Sequence, residues 1–497
     1  MSDRLTHSGQ RDYAQSISES VAESGRDKYL YAIIRKPQEG KTFICLKSIQ
    51  KSPDSIHIIV TMNTIKSNLQ FFQRANTLLN GNICVLNSKG KKKESQEYNH
   101  SKDVSGVRKF IFSGINHIIM CAHPKRFDES IIQLLEILED SKKFNKNVTI
   151  HIDEAHEYVP PHRSRIIEMN DFDIVDRIYM YSATPFKIWD SYGAKLFQNI
   201  WVVDVKEQFG IMKSADYFGV KDCVIKITND CLERKHSEYI STAAIMESGT
   251  SSTKEALEAN PDIKFTWLTE GETYFSLGDE YKYLNYVRHT LENLRDGGDI
   301  SNESFSYNFI PAYIRKVTHY GIMENILDVF PRAVVVVING DGTKQWRLGK
   351  KGLKGKVLPH DNEPSKQIQK VIRKHPDQPI FITGFHCVSM SVTLISEKIG
   401  NFHNVILSHD QFINHPETLY QLCRFLFNYT SWGDKSHIRK TIIHSNNMEC
   451  IQSCLNYEKQ IDKIEETMCG SLRTQEEICG DVRVKPSPKI KERKNDS

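Results

Sequence analysis

From Tyr29 onward, short apolar runs alternate with stretches whose apolar residues recur at helical spacing. Residues 30–34, 56–61, 83–86, 117–121, 148–152 and 178–181 read as strands. Residues 42–51, 66–79 and 130–139 read as helices between them. Nearly continuous apolar strands separated by helices are the pattern of a parallel sheet covered on both faces. They predict an α/β domain over residues 28–205. A second series of the same type follows, with strands at 307–310, 333–338, 380–383 and 405–407 and helices at 314–330, 365–374 and 417–427. It predicts a second α/β domain over 300–445, with Asn339, Gly340, Asp341 and Gly342 as a turn. Residues 206–299 alternate less regularly, carry an amphipathic segment at 281–294, and read as a connector, an insertion or an early part of the second domain. Residues 447–467 have helical spacing, so 446–497 reads as a helical segment and a basic, disordered tail. The polar first 27 residues read as a disordered lead-in.

Composition narrows the classes. The 497 residues are 39% hydrophobic and 26% charged, enough apolar material for real cores. No apolar run approaches the roughly 18 residues of a membrane helix, and the polar N-terminus lacks a signal-peptide core. Eleven scattered cysteines form no disulfide framework, which points to a reducing, intracellular compartment. The net charge of +4 neither demands nor excludes nucleic acid, so local distribution matters more. Basic excesses stand at 89–93 and 483–494, each compatible with a solvated loop or tail.

Three segments carry candidate chemistry. After the first strand come Lys36, Pro37, Gln38, Glu39, Gly40, Lys41 and Thr42, opening a helix. Strand, tight loop and helix form the context of a phosphate-binding loop: backbone N–H groups face the phosphates, Lys41 reaches them, and the Thr42 hydroxyl suits Mg²⁺. The usual first glycine falls at Arg35, so the full pattern is not met. At the end of the strand 148–152 stand Asp153 and Glu154, followed by Ala155 and His156. Ligands of open parallel sheets sit at carboxyl strand ends. Asp153 there suits Mg²⁺ and Glu154 suits positioning an attacking water. Ser182, Ala183, Thr184 and Pro185 end the strand 178–181, where small hydroxyls can relay hydrogen bonds to the acidic pair. Cys450 and Cys454, with Cys469 and Cys479, lack the pairing of a zinc site.

In order and spacing, these segments resemble the superfamily 2 helicases and translocases, the DEAD/DEAH-box-like group. The resemblance is closest to helicase-like ATPases of large DNA viruses and phages, strong over 28–205 and looser over 300–445. It implies two RecA-like domains in tandem, with ATP and Mg²⁺ in the cleft between them and a DNA or RNA strand, held mainly through phosphates, crossing both. It implies cofactor contacts from Gln38, Gly40, Lys41, Thr42 and Gln421, and coupling through His156, Ser182 and Thr184. Nucleic-acid contacts would come from Thr61, Asn63, His123, Thr383 and Gly384. Tyr420, Gln421, Leu422, Cys423, Arg424, Phe425, Leu426 and Phe427 are similar to the family's Q-x-x-G-R-x-x-R motif. Arg424 fits the first arginine, while Cys423 replaces the glycine and Phe427 the second arginine; Ser389, Met390 and Ser391 replace an Arg-Gly stretch. An arginine finger is worth about 10³–10⁵ in rate. The departures therefore keep two other readings open: a remodelling or binding protein with weak or lost hydrolysis, and the ATPase subunit of a nuclease assembly. The C-terminal segment is a candidate site for a protein partner.

Overall fold

The computed structural model describes residues 29–38, 40–63, 65–79, 81–87, 99–141, 146–159, 161–184, 188, 200–202, 217–228, 278–313, 316–340, 342–350, 352–359, 364–385, 394–408, 416–423, 425–429, 432–467 and 473–474. The lead-in 1–27, the basic runs 89–93 and 483–494, and much of 206–299 lie outside them. So do Glu39, Pro185, Asp341, Ser389, Met390, Ser391, Arg424, Cys469 and Cys479. The chain divides into two compact units. The first takes residues up to Phe218, Phe427–Gly433, and those from Tyr457 onward; the second takes Gly219–Leu426 and Asp434–Asn456.

The first unit contains β1 (Tyr29–Ile34), α1 (Lys41–Lys51), β2 (Ile56–Thr61), α2 (Ile65–Leu78), β3 (Ile83–Leu86), β4 (Asn99–Ser101), α3 (Val104–Phe112), β5 (His117–Cys121), a π-helical turn (Arg126–Ile131), α4 (Ile132–Glu139), β6 (Val148–Ile152), α5 (Ala155–Tyr158), α6 (Arg163–Asp171), β7 (Val175–Ser182), β8 (Ile200–Val202) and β9 (Tyr217–Phe218). Its main sheet runs β8, β1, β7, β6, β2, β5, β3, β4, all neighbours parallel. The pair Arg473–Thr474 adds antiparallel to β8. The strands are buried because they are apolar on both faces: every residue of β2, β3 and β6 is inside. One core layer joins Tyr31 and Ile33 of β1 to Ile44, Leu46 and Ile49 of α1 and to Phe71, Phe72 and Ala75 of α2. At roughly 1.5–3 kcal/mol for each large side chain removed from water, this layer fixes α1 against the sheet.

Three histidines are buried within the same sheet. The His57 Nδ1 lies 3.1 Å from His151 Nε2, His57 Nε2 lies 2.8 Å from the Ser52 carbonyl, and His151 Nδ1 lies 3.0 Å from the Tyr181 hydroxyl. His117 stacks on His57 with ring centroids 5.7 Å apart. Burial holds His57 down to about 4 and His151 well below the usual imidazole range, so this chain is neutral.

The second unit contains β10 (Val224–Ile227), α7 (Gly278–Asp296), β11 (Ser306–Pro311), α8 (Lys316–Val329), β12 (Val334–Asn339), β13 (Gly342–Gly349), β14 (Gly352–Val357), α9 (Pro364–Lys374), β15 (Pro379–Gly384), β16 (Asn404–Ile406), α10 (Pro416–Leu422) and β17 (Ile442–Ser445). Its sheet runs β10, β17, β16, β11, β15, β12, parallel throughout, and then turns antiparallel into β13 and β14. The core sets Tyr286, Val287 and Leu291 of α7 against Ile322, Met323 and Ile326 of α8, together with Val335 and Val337 of β12. Of the segment 206–299, therefore, β10 and α7 are built into this unit, and β9 into the first.

The helix expected over 417–427 ends at Leu422, and Phe427–Asn428 pairs as a short strand with β9 instead. Phe427 lies against Phe218 and Trp432 there, with ring centroids 5.3 and 4.8 Å apart, and that aromatic packing outweighs continued helix. The helix expected from residue 130 begins as the π-turn Arg126–Ile131, with the α-helix starting at Ile132. A last helix, α11 (Met448–Thr467), has Cys450, Cys454 and Ile461 on its buried face. Among the described residues no helix is long and apolar enough to cross a membrane.

Candidate active site

In the first unit, β1, β7, β6 and β2 are parallel neighbours, so their carboxyl ends open on one edge of the sheet. The Arg35 N–H donates to the Ser182 carbonyl at 3.0 Å, carrying β1 one residue past its end. The chain then turns sharply: Gln38 has φ 60° and Gly40 φ 90°. Glycine takes that left-handed conformation without a steric penalty, and Gly40, the residue that precedes α1, has no side chain with which to cap its first turn. A helix start whose N-cap residue offers no side-chain cap is of the kind that can receive an anion on its first N–H groups. Lys41 is buried at this point, and Thr42 is half-buried beside it.

Residues far along the chain hold the loop. The buried Lys36 forms an ion pair with Asp462 of α11, and its ammonium sits 4.9 Å from the centre of the Tyr217 ring. The Tyr217 hydroxyl donates to the Pro37 carbonyl at 3.1 Å. Arg35, where the family pattern has glycine, is 1% exposed, so its side chain is part of the interior.

The acidic pair stands two strands away. The Asp153 N–H donates to the Val60 carbonyl at 2.9 Å, and the Glu154 N–H donates to Asp153 Oδ1 at 3.1 Å. Both carboxyl groups are buried. Burial first, and Glu154 second, push the Asp153 carboxyl up to about 6, while the positive charges of Lys41 and Arg74 pull the other way. Lys41 is thus near enough to Asp153 for its charge to be felt. Burial raises the Cys45 thiol on α1, and the Asp153 charge adds to that rise. Glu154 has φ 48°. With Gln38 it is one of two non-glycine residues in the left-handed region among the described residues, and both lie at this edge. Such strain costs of order 1–3 kcal/mol per residue and gathers at functional sites.

Behind the pair, His156 Nδ1 lies 3.7 Å from the Glu154 carboxylate and 3.0 Å from the Ser182 hydroxyl. Ser182 Oγ accepts from the Thr184 N–H at 2.9 Å and lies 3.4 Å from the Thr184 hydroxyl. Gly40, Lys41, Thr42, Asp153, Glu154, His156, Ser182 and Thr184 are therefore brought to one edge, and Gln38 lies in the loop beside them.

The other sequence candidates are distributed differently. Thr61 is buried, and its hydroxyl donates to Asn68 Oδ1 at 2.6 Å, which turns it inward. Asn63 is exposed and its N–H donates to the Tyr158 hydroxyl at 2.9 Å; His123 is also exposed. In the second unit, Thr383 and Gly384 end β15, and the buried Thr383 hydroxyl has no hydrogen-bond partner among the described residues. Gln421 on α10 is 3% exposed, and neither end of its amide has such a partner among them. Sequence reasoning misses Lys36, Asp462 and Tyr217, because 426 positions separate Lys36 from Asp462 and no local pattern joins them.

No family model matches the chain, and no curated protein matches it. Among solved structures, it is similar to a chain described as "ATP-dependent Type ISP restriction-modification enzyme LlaBIII bound to DNA". The identity is 12% and the TM-score 0.46, over 92% of this chain and 30% of that one. This chain thus spans less than a third of that chain's length.

Proposed function

We propose that the protein is a nucleic-acid-dependent ATPase of the helicase or translocase type. The observation that carries this reading is the convergence at one sheet edge of an uncapped helix start bearing Lys41 and Thr42 with the buried pair Asp153 and Glu154. Two adjacent buried acids repel each other, and a divalent cation bound with a polyphosphate relieves that repulsion. Thr42 and Asp153 would hold Mg²⁺, which when bound neutralises phosphate charge. The donor set fits: one hydroxyl and one carboxylate leave room for phosphate oxygens and water. Gly40 and the first N–H groups of α1 receive the β and γ phosphates, and Lys41 adds a point charge. Gln38 lies in the loop beside the nucleotide. Glu154 orients the attacking water and takes its proton, held in place by its strained backbone and by His156.

His156, Ser182 and Thr184 form a relay from the acid pair to the end of β7, suited to passing the state of the nucleotide to the rest of the unit. Gln421 is a further proposed nucleotide contact, its buried amide being suited to a polar ligand. Arg424 is proposed to stabilise charge developing on the transferred phosphate. Asn63, His123, Thr383 and Gly384 are proposed strand contacts. The inward hydroxyl of Thr61 leaves it the role of shaping the loop that presents Asn63.

Phosphate release from ATP, measured with and without single- and double-stranded DNA and RNA, tests the proposal. Hydrolysis stimulated by a strand and abolished by Lys41→Ala supports it. Tight strand binding with no hydrolysis would favour a remodelling protein without turnover.

A further inference from the structure

Between positions 342 and 357 the chain carries six basic residues and no acidic one, although the whole protein has a net charge of only +4. This stretch forms the β13–β14 hairpin at the outer edge of the second unit's sheet. The register sets Arg347 opposite Lys354 and Gln345 opposite Lys356. Strand alternation therefore gathers Arg347, Lys354 and Lys356 on one face. All three are exposed, and none is in an ion pair among the described residues.

This arrangement works against stability, since like charges directly opposite on paired strands are destabilising. Lysines on an edge strand do discourage edge-to-edge aggregation. That accounts for Lys354 and Lys356 on β14, but not for Arg347 on the interior strand β13. The same face continues toward α9. Gln345 Nε2 lies 3.0 Å from His375 Nε2, just beyond the basic end of α9 at Arg373 and Lys374. After burial, the charges of Arg347 and Lys374 help push the His375 imidazole down, so the two sets of cations lie to one side of the sheet.

The opposite face anchors the hairpin. Trp346 lies across Gly355, where a Cβ would come within 2.6 Å of the indole, and meets Tyr320 of α8 edge-on at 6.0 Å. The cations thus sit on a braced ribbon. Residues two apart on a strand are about 6.6 Å apart. Lys354 and Lys356 are so spaced along β14, with Arg347 across from Lys354, and this set of cations can follow the backbone of a nucleic-acid strand drawn out along the ribbon.

We propose that the face of Arg347, Lys354 and Lys356 grips the phosphate backbone of a single nucleic-acid strand. The inference rests on the ATPase reading above for the identity of the polyanion. The test uses the full chain and labelled oligothymidylate and oligouridylate, following the tighter of the two across a salt series. The triple variant Arg347→Ala, Lys354→Ala, Lys356→Ala is compared with a control triple at exposed lysines elsewhere in the unit, Lys221→Ala, Lys398→Ala, Lys440→Ala. The hairpin triple is expected to weaken binding and reduce the slope of log affinity against log salt by about 2, at roughly 0.7 per single-strand phosphate. The control triple and the ATPase rate without nucleic acid should stay at wild-type values. Binding by the wild type with an unchanged slope in the hairpin triple overturns the inference alone. An equal loss in the control triple does so too, as does competition by polyglutamate at matched charge. Absence of any strand binding by the wild type removes the proposed function and the inference together.

Discussion

The two units share a parallel sheet with helices packed on it, yet their carboxyl edges differ in kind. In the first unit, the edge holds Lys41, Asp153, Glu154 and His156 close enough to shift or bind one another, with left-handed backbone at Gln38 and Glu154. In the second, the edge holds Thr383, a neutral group whose buried hydroxyl has no hydrogen-bond partner among the described residues, while the concentrated charge lies out on the β13–β14 hairpin. The same architecture thus carries strained, charge-coupled chemistry in one copy, and a neutral polar position with a cationic edge in the other. Charge at the first edge is buried and specific; charge on the second unit is exposed and diffuse. The first arrangement suits reaction and the second suits holding a polyanion.

The sharpest way to break this contrast is to remove the first edge's charges. Lys41→Ala or Asp153→Asn should lower the rate of phosphate release by about 10²–10³ or more, as for the loss of a preorganised electrostatic group. A variant keeping a tenth of wild-type activity would move the chemistry elsewhere. Glu154→Gln is next: turnover should fall by roughly 10²-fold or more while labelled nucleotide still binds, because the amide preserves shape but cannot take a proton. Equal loss of binding and turnover would make Glu154 a binding group instead.

The third prediction concerns what the units have in common. Both hold neutral histidines, the buried His57 in the first and the buried His444 and half-buried His403 in the second, each held down to about 4 chiefly by loss of contact with water. The unfolded chain takes up these protons near pH 6.5 and the folded one only near 4. Their contribution to stability is therefore full above about 6.5 and lost as pH falls toward 4, by up to about 3 kcal/mol for each of His57 and His444 and by less for the half-buried His403, whose charge water screens. Thermal melts from pH 7.5 to 4.5 should show the fall, and His57→Gln should flatten part of it; a flat wild-type profile would contradict the buried neutral assignment.

The smallest expected effect is at the loop's distant support. Asp462→Asn leaves Lys36 buried without its counter-charge. The cost should be of order 2 kcal/mol, below the roughly 3–5 of a fully buried pair because Asp462 keeps some solvent. A lowered melting temperature together with weaker nucleotide binding is expected. A melting change with unaltered binding would separate the pair from the loop's geometry.

Periodicity and strand-end chemistry are legible without coordinates. The apolar runs at 56–61, 83–86 and 148–152 form strands at those positions, and the segments at Lys41, Asp153 and Ser182 each lie at the end of one. The basic hairpin escapes such a reading because, apart from the adjacent Lys350 and Lys351, its cations are separated by Gly, Leu, Trp and Gln. Pairing is what collects them on one face. The helix expected over 417–427 runs too long because a helical pattern cannot reveal the aromatic partners that draw Phe427 into a strand.

What the sequence determined by itself is local: which residues alternate into strands and helices, and which chemistry waits at the ends of those strands. Both follow from side-chain period and from backbone rules acting within a few residues. Only the tertiary structure decided that β7 and β6 lie between β1 and β2, which sets Asp153 within the field of Lys41, and that Asp462 reaches Lys36. Those facts depend on the order in which buried strands pair, and that order is fixed by packing between residues far apart along the chain.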